Sequence, residues 1–212
     1  MKDIPVFTTE HGAASLTLRE IPYRGIAYIK IQSSLEPEAL IEECARFCTM
    51  CGAERIVATG HPYLEKFPLR NGVILRKRPL EGLPDTDAAL FPVQEQTLQQ
   101  WLEIYNTGMK NVANAAWMTE KDGKEMLQKG DGYFVHRGDT LLGIGKASGE
   151  KIGAIVAVKK GAGADVVLAL CHTLTADTIS LEVASNNERA VRLYDRLGFV
   201  PAAELSRWYV VK

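Results

Sequence analysis

The most informative segment of the chain is 181–199, which reads LEVASNNERAVRLYDRLGF. Its first residues continue an apolar stretch, 179–183, that is typical of a buried β-strand. Asn187 stands where a helix N-cap is expected, and Gly198 stands where a helix commonly ends. The segment therefore predicts a strand, a tight connection and a helix that stops at Gly198.

A second strand and helix precede this segment. Residues 151–158 are almost wholly apolar, 159–165 read KKGAGAD, and 166–173 form an apolar helical pattern. Glycines at such a junction let backbone N–H groups approach a ligand, and a helix N-terminus adds unpaired N–H groups and a positive dipole end. Together these features can hold phosphate oxygens. Glycines between a strand and a helix are also often only a turn, so the loop alone leaves both interpretations open.

Taken together, these segments resemble the motifs of the GNAT superfamily of acyl-CoA-dependent N-acyltransferases, over residues 87–212. The family pattern is an apolar strand ending in Glu and Val, then Asn-x-x-Ala-x-x-Leu-Tyr-x-x-x-Gly-Phe. At the pyrophosphate loop, Lys160 takes the basic position and Gly163 the first glycine, but Asp165 replaces the last small residue. The helix motif is matched by Asn187, Ala190, Leu193, Tyr194, Gly198 and Phe199.

This resemblance implies an α+β fold with a GNAT-like mixed sheet flanked by helices, and acetyl-CoA as cosubstrate. In that family the strand before the phosphate loop splays from the next strand, and the pantetheine chain lies in the gap. One backbone N–H there would stabilise the thioester oxyanion. The implied cofactor-binding residues are Ile155, Val156, Ala157, Val158, Lys160, Gly161, Ala162, Gly163, Ala164, Asn187 and Ala190.

The resemblance also implies two catalytic residues. Tyr194 would protonate the leaving thiolate, and Glu182 would deprotonate the attacking amine, directly or through water. Tyr194 also fits an amphipathic core tyrosine whose hydroxyl bonds to backbone. Glu182 also fits a solvent-facing strand residue, because strand alternation places it opposite Leu181 and Val183. Both pairs of interpretations stay open at the sequence level.

Three further residue sets carry expectations. Asp165 should repel a pyrophosphate unless its carboxylate turns outward. Asn187 is expected to cap its helix, with cofactor contact as a secondary role. Four side chains on the first two predicted helices fit either an acceptor pocket or core packing: Trp101, Tyr105, Trp117 and Met118.

The first part of the chain, 1–86, is not covered by the resemblance. Its pattern predicts a smaller α/β module, and the segment 79–87, rich in proline, glycine and acidic residues, is the expected boundary. The strand–helix–strand run over 26–59 has the same order as the run over 152–183, so a degenerate half-copy of the fold is one hypothesis, although any βαβ unit would look alike. Because no Gly-x-Gly turn occurs there, we expect no second cofactor site.

Charge and hydropathy exclude several classes of partner. The 25 basic and 26 acidic residues nearly balance, and no long run of like charge indicates a nucleic-acid face or an anionic membrane surface. The cationic stretch 76–78 is short and is expected to be a solvated strand end. No segment approaches the ~18–20 apolar residues of a membrane span. The start lacks the apolar core of a signal peptide, so a cytoplasmic protein is expected.

Three of the four cysteines fall on one stripe of a predicted helix, at Cys44, Cys48 and Cys51. The Cys48/Cys51 spacing is compatible with metal or redox chemistry, but no second pair or nearby histidine completes a zinc site. A buried apolar stripe is the favoured interpretation, because free cysteine behaves as a small hydrophobe.

The sequence therefore predicts an N-acetyltransferase that moves an acetyl or short acyl group from acetyl-CoA to a primary amine on a small molecule or peptide. The alternative is a non-catalytic CoA-binding or protein-interaction protein that keeps the fold without turnover. The sequence does not identify the acceptor, because enzymes of this kind determine their acceptor specificity through helices that carry no motif. A homodimer is left open.

Overall fold

The computed structural model describes residues 5–212, which form two compact units. The first unit consists of 5–73 with Leu205–Lys212, and the second of Ile74–Glu204. The boundaries fall inside two long strands, β5 (Leu69–Pro79) and β11 (Val200–Val210). They differ from the boundary expected at 79–87, because a segment rich in proline and glycine marks a loop whether or not a domain ends there. The division into domains 1–86 and 87–212 stays a prediction.

The first unit is a sheet with one long helix. Its elements before β5 are β1 (Val6–Thr9), β2 (Gly12–Thr17), α1 (Ile21–Arg24), β3 (Ile26–Ser34), α2 (Pro37–Met50) and β4 (Arg55–Thr59). The strands lie in the order β1-β2-β3-β4-β11. Strands β3 and β4 pair in parallel, whereas β1 with β2, β2 with β3, and β4 with β11 pair antiparallel. Leu40, Ile41, Cys44 and Cys48 of α2 are buried against this sheet.

The second unit has helices on both faces of a mixed sheet. Its elements after β5 are β6 (Ala89–Pro92), α3 (Leu98–Met109), α4 (Glu120–Lys129), β7 (Gly132–Arg137), β8 (Thr140–Ser148), β9 (Lys151–Ala157), α5 (Gly163–Cys171), β10 (Thr178–Ala184), α6 (Glu188–Arg196) and β11. The strand order is β5-β10-β9-β8-β7-β6, with β9 and β10 parallel. This arrangement confirms the predicted α+β class and mixed sheet.

Successive residues of β7 show how the layers are divided. Phe134 packs with the cluster built from α3 and α4, whereas Val135 packs with the cluster built from α5 and α6. Because neighbouring strand residues point to opposite faces, the two clusters lie on opposite sides of the sheet. Within the described residues no helix is long and apolar enough to cross a membrane.

The two units repeat one pattern of strand pairing. In the first, β1, β2 and β3 pair antiparallel in turn, and α2 leads to the parallel strand β4. In the second, β7, β8 and β9 pair antiparallel in turn, and α5 leads to the parallel strand β10. The hypothesis of a degenerate half-copy is therefore confirmed at the level of strand topology.

Turn chemistry sets the ends of two elements. After β2 ends at Thr17, the chain turns into α1, with Pro22 in its first turn and Gly25 closing it at φ 64°. Helix α4 begins after Thr119, whose hydroxyl accepts from the Asp122 N–H in a capping box.

Candidate functional site

Strands β9 and β10 separate after two paired positions. Their parallel register joins Lys151 to Ser180 and Ile152 to Leu181, and within residues 5–212 the ladder goes no further. The register between β8 and β9 shifts at the same level, leaving Gly153 without a partner across from Lys146 and Ala147. Such a bulge bends and twists a strand. Both strands continue beyond this level without pairing with each other, which leaves a slot between β9 and β10 beyond Gly153.

The direction of the backbone groups narrows the predicted cofactor contacts. Val158 donates its N–H to the Leu142 carbonyl at 2.9 Å, so this donor is already used. In an antiparallel pair the bonding direction alternates, so Val156 also faces β8, and Ile155 and Ala157 face the slot. Among the four implied cofactor-binding residues of β9 and its end, 155–158, alternation directs the backbone groups of Ile155 and Ala157 toward the slot. Contact of these four residues with a cofactor stays a prediction.

The loop after β9 lines a pocket of about 500 Å³. Gly161 has a φ of 90°, a conformation that glycine adopts readily. No side chain caps α5, because Ala162 stands at its N-cap position. The first N–H groups of α5, including those of Gly163 and Ala164, thus lack a side-chain acceptor. The pocket is lined by Ala157, Val158, Lys159, Lys160, Gly161 and Arg189.

Three cations of this pocket have no acidic partner. Lys159, Lys160 and Arg189 make no ion pair with any residue in 5–212. The acidic neighbour Glu188 pairs instead with Arg192 at 3.0 Å. The pocket therefore presents uncompensated positive charge, which suits an anionic ligand.

The sequence motif did not single out Arg189. It occupies a variable position between Asn187 and Ala190, in the first turn of α6. Its position in the sequence could have indicated it. Arg189 is two residues after the N-cap of α6, and a cation in a first helical turn can reach the loop that precedes a neighbouring helix, here the loop before α5. Asn187 caps α6 as predicted, accepting from the Ala190 N–H at 3.3 Å. Direct contact of Asn187 or Ala190 with a cofactor stays a prediction.

Asp165 is turned toward a cation. Its Oδ1 lies 3.0 Å from Nη2 of Arg137, which also pairs with Asp87 at 2.6 Å. Asp165 is not among the residues that line the pocket. Asp165 was expected to repel a pyrophosphate unless its carboxylate turned outward. The carboxylate does turn outward, and Arg137 neutralises it outside the pocket.

Asp165→Asn should leave the acetyl-CoA Kd unchanged within about twofold, because a carboxylate already paired with Arg137 adds little to the field at the loop. Calorimetric titration measures the Kd. Asp87→Asn is the matched control, since it removes the other partner of Arg137 without altering α5. A tenfold gain in affinity in Asp165→Asn alone would mean that the carboxylate faces the phosphates.

Tyr194 is buried, with 7% of its surface exposed. Its ring packs edge-on against Phe199, with centroids 5.9 Å apart. It shares a buried cluster with Val183, against which Ile155 and Ala157 of the slot also pack. Its hydroxyl makes no hydrogen bond with any residue in 5–212, so the backbone bond expected of a purely structural tyrosine is not seen there.

Burial raises the pKa of Tyr194 to about 12, against an opposing effect of the positive charge on Arg76. The phenol therefore keeps its proton throughout the neutral range. A thiol has a pKa of about 8.5, so the phenol is a weaker acid than the thiol that would leave. Protonation of a leaving thiolate by this phenol stays a prediction.

Glu182 is exposed and forms an ion pair with Lys151. It points away from the buried neighbours Leu181 and Val183, as alternation predicted. The ion pair matches the interpretation of a solvent-facing residue. Its role as a base stays a prediction.

Trp101 and Tyr105 are core residues of the second unit. Their rings stack 5.5 Å apart, and the Trp101 indole donates to the Tyr133 carbonyl at 3.1 Å. The packing interpretation is confirmed for these two. Asn106 holds Met118 through two bonds of 2.9 Å, which fixes the loop between α3 and α4.

The cysteine stripe is buried at two of its three positions. Burial raises the pKa of Cys44 to about 12 and that of Cys48 to about 11, whereas Cys51 lies exposed just beyond α2. Such thiols are poor nucleophiles and poor metal ligands. No group of His, Cys, Asp and Glu in the described part of the chain is placed to hold a metal ion.

Strands β3 and β4, the parallel pair of the first unit, remain paired along the whole length of β4. Their register runs through five positions, from Ile26 paired with Arg55 to Lys30 paired with Thr59. A closed ladder leaves no slot of the kind seen between β9 and β10.

We therefore expect one acetyl-CoA per chain. A titration that gave two sites would contradict this expectation. A loop variant of the second unit, Lys160→Gln with Arg189→Gln, is the control: all of its acetyl-CoA binding should weaken together, with no second site that keeps the wild-type affinity.

Comparisons with known proteins agree on the fold. No protein-family model and no curated protein matches the chain. A functionally unknown conserved protein from Staphylococcus epidermidis has a TM-score of 0.61 at 12% identity, over 99% of this chain and 94% of that one. A GCN5-related N-acetyltransferase from Anabaena variabilis has a TM-score of 0.61 at 12% identity, over 94% of this chain and 59% of that one. Another from Sphaerobacter thermophilus has a TM-score of 0.56 at 12% identity, over 93% and 75%. The chain has the GNAT fold, as its motif predicted.

Proposed function

We propose that this protein is an acyltransferase that moves an acetyl or short acyl group from acetyl-CoA to a primary amine. The observation that carries the proposal is the slot between β9 and β10, which leads at Ala157 into a pocket lined by three unpaired cations. In coenzyme A, pantetheine is a narrow chain with amide groups that is joined to a pyrophosphate. An opened strand edge followed by a cationic loop matches both parts.

The reaction needs two proton movements. The neutral amine attacks the thioester carbonyl carbon, and the carbonyl oxygen gains negative charge, which an N–H of Ile155 or Ala157 can stabilise. The C–S bond then breaks, its electron pair stays on sulfur, and the Tyr194 hydroxyl supplies the proton. The amine loses a proton to a base or to water. The products are an amide and free coenzyme A.

Glu182 is the candidate base, on the strength of the motif. If it takes the amine proton, Glu182→Gln should shift the pH dependence of kcat/KM upward, because more of the amine must then arrive already neutral. Lys151→Gln is the matched control, since it breaks the same ion pair but keeps the carboxylate. Equal pH profiles for wild type and Glu182→Gln would assign Glu182 to the surface and the proton to water.

The ion pair at Glu182 favours a second candidate, a protein that binds coenzyme A without turnover. Release of free coenzyme A over a panel of amines separates the two. Because Cys51 is exposed, thiol release should be followed by chromatography or in a Cys51→Ala background. Acetyl-CoA binding without release on any amine would favour the non-catalytic protein.

A further inference from the structure

One ion pair of the second unit lies where the slot begins. Lys151 and Ile152 are the two positions of β9 that pair with β10, opposite Ser180 and Leu181. Glu182 follows Leu181 and is the first residue of β10 beyond this ladder. The Lys151 Nζ donates to Oε1 of Glu182. A primary amine of the chain is therefore bound to the candidate base.

The Lys151 side chain extends along the strands toward the slot. Its ladder partner Ser180 and its ion-pair partner Glu182 lie on the same side of β10, because strand positions two apart share a face. Contact with Glu182 carries the Lys151 amine about two residues along the strands, roughly 6–7 Å at ~3.3 Å per residue. The amine thus reaches the level at which the two strands have separated.

The backbone beside this pair leaves open space. Gly153 follows the two paired positions of β9 and is exposed. The nearest atoms to a Cβ built at Gly153 belong to Lys146, at 3.8 Å, which is an ordinary van der Waals distance. The glycine therefore leaves room for a thioester group next to the Lys151 amine.

Two arginines of the same unit show what a structural cation looks like here. Arg76 and Arg78 were expected at a solvated strand end, but they are only 3% and 8% exposed, because they share one buried face of β5. Arg76 donates to the Phe199 carbonyl at 2.8 Å, and Arg78 donates to the Leu197 carbonyl, at the end of α6. The Lys151 side chain is 48% exposed, so a ligand in the slot can reach its amine.

We propose that Lys151 is itself an acyl acceptor: bound acetyl-CoA acetylates the Lys151 amine of the same chain when no other amine is present. This proposal rests on the proposed function, in which acetyl-CoA is the acyl donor and Glu182 is the base. It assigns the Glu182 ion pair a role in transfer, because the carboxylate already holds the nitrogen that would attack.

The reaction balances as follows. A lysine amine has a pKa of about 10.4, so at neutral pH it is an ammonium that must lose a proton before it can attack. Glu182 takes that proton, and the Lys151 nitrogen forms a bond to the thioester carbonyl carbon. The nitrogen loses a second proton to solvent, the C–S bond breaks with its electron pair on sulfur, and a proton from Tyr194 or water completes free coenzyme A. The other product is an uncharged amide at Lys151.

Two other lysines of the unit are matched controls. Lys146 lies beside Gly153, but its Nζ is 3.5 Å from the carboxylate of the buried Asp131. Lys124 pairs with a glutamate on α4 at 2.7 Å, and its side chain is 62% exposed. Lys146 thus has the location without the candidate base, and Lys124 has a carboxylate partner and exposure without the slot.

The test is incubation of the wild-type protein with acetyl-CoA and no added amine, followed by peptide mapping with mass spectrometry. Lys151 should be acetylated about 10²-fold faster than Lys124 or Lys146, at the lower end of the range for general base catalysis. The rate constant should not depend on protein concentration, because donor and acceptor lie on one chain. Equal rates at the three lysines would mean uncatalysed surface chemistry and would overturn the proposal.

Three variants locate the cause of the modification. Glu182→Gln keeps the lysine and the slot, and it should slow acetylation of Lys151 about 10²-fold. Glu120→Gln removes the glutamate beside Lys124 and should leave the Lys151 rate unchanged. Lys151→Arg keeps a cation beside Glu182 but offers no reactive amine, so the modification should disappear. An undiminished Lys151 rate in Glu182→Gln would refute the role of the ion pair. Because Lys151 and Glu182 are both exposed, we expect these variants to fold, which thermal melting checks.

An amine panel run in parallel separates this proposal from the proposed function. Acetylated amines with an unmodified Lys151 would leave the function standing and sink the self-acetylation. An acetylated Lys151 with no acetylated amine would support the self-acetylation and contradict transfer to a separate acceptor. Binding of acetyl-CoA with neither product would contradict both.

Discussion

Tyr194→Phe should lower kcat by about 10²-fold, the lower end of the range for general acid catalysis. The acetyl-CoA Kd should not change, because the phenol acts on a charge that exists only late in the reaction. Stability should change little, since the hydroxyl makes no hydrogen bond within residues 5–212. Steady-state rates over the amine panel, with calorimetry for the Kd, measure both quantities.

The matched control for this prediction is Tyr133→Phe, a half-buried tyrosine of β7 in the same unit. It should retain the wild-type kcat. A wild-type rate for Tyr194→Phe, where chemistry limits turnover, would make Tyr194 a packing residue and leave the thiolate to be protonated by water.

The second large effect concerns binding. Lys160→Gln combined with Arg189→Gln should weaken acetyl-CoA binding about 10²-fold, because two charged contacts with phosphate contribute roughly 1.5 kcal/mol each. Each single variant should weaken binding about tenfold. The wild-type Kd should also rise with salt concentration, since the cations lie at the surface and are screened.

Arg192→Gln is the control for that experiment. Arg192 lies one turn beyond Arg189 on α6, pairs with Glu188, and does not line the pocket. Its loss should leave the Kd within about twofold, as for an exposed ion pair. Equal weakening in Arg192→Gln and Arg189→Gln would mean that net charge, and not the pocket, determines affinity.

The motif at 181–199 was sufficient to predict the fold of the second unit. Asn187 caps α6, Gly198 ends it at φ 78°, and Tyr194 and Phe199 lie in the core, because these roles depend on local backbone geometry and helical spacing. Strand alternation also placed Glu182 on the outer side of β10.

What the sequence could not show depends on contacts between distant segments. Arg76 meets Asp195 across 119 positions of the chain, and Arg137 meets Asp165 from another strand, so neither neutralised charge is visible in a local pattern. The two-residue ladder between β9 and β10 is a property of register, which side-chain periodicity does not report. Arg189 was missed because its position in the motif accepts many residue types.

The most direct measurement is calorimetric titration of the wild-type protein with acetyl-CoA at concentrations up to ~1 mM, which reveals even weak binding. The slot and its cationic pocket predict one site per chain, with heat that falls as salt is added. Absence of both heat and a thermal shift at ~1 mM would contradict the assignment of this site to acetyl-CoA.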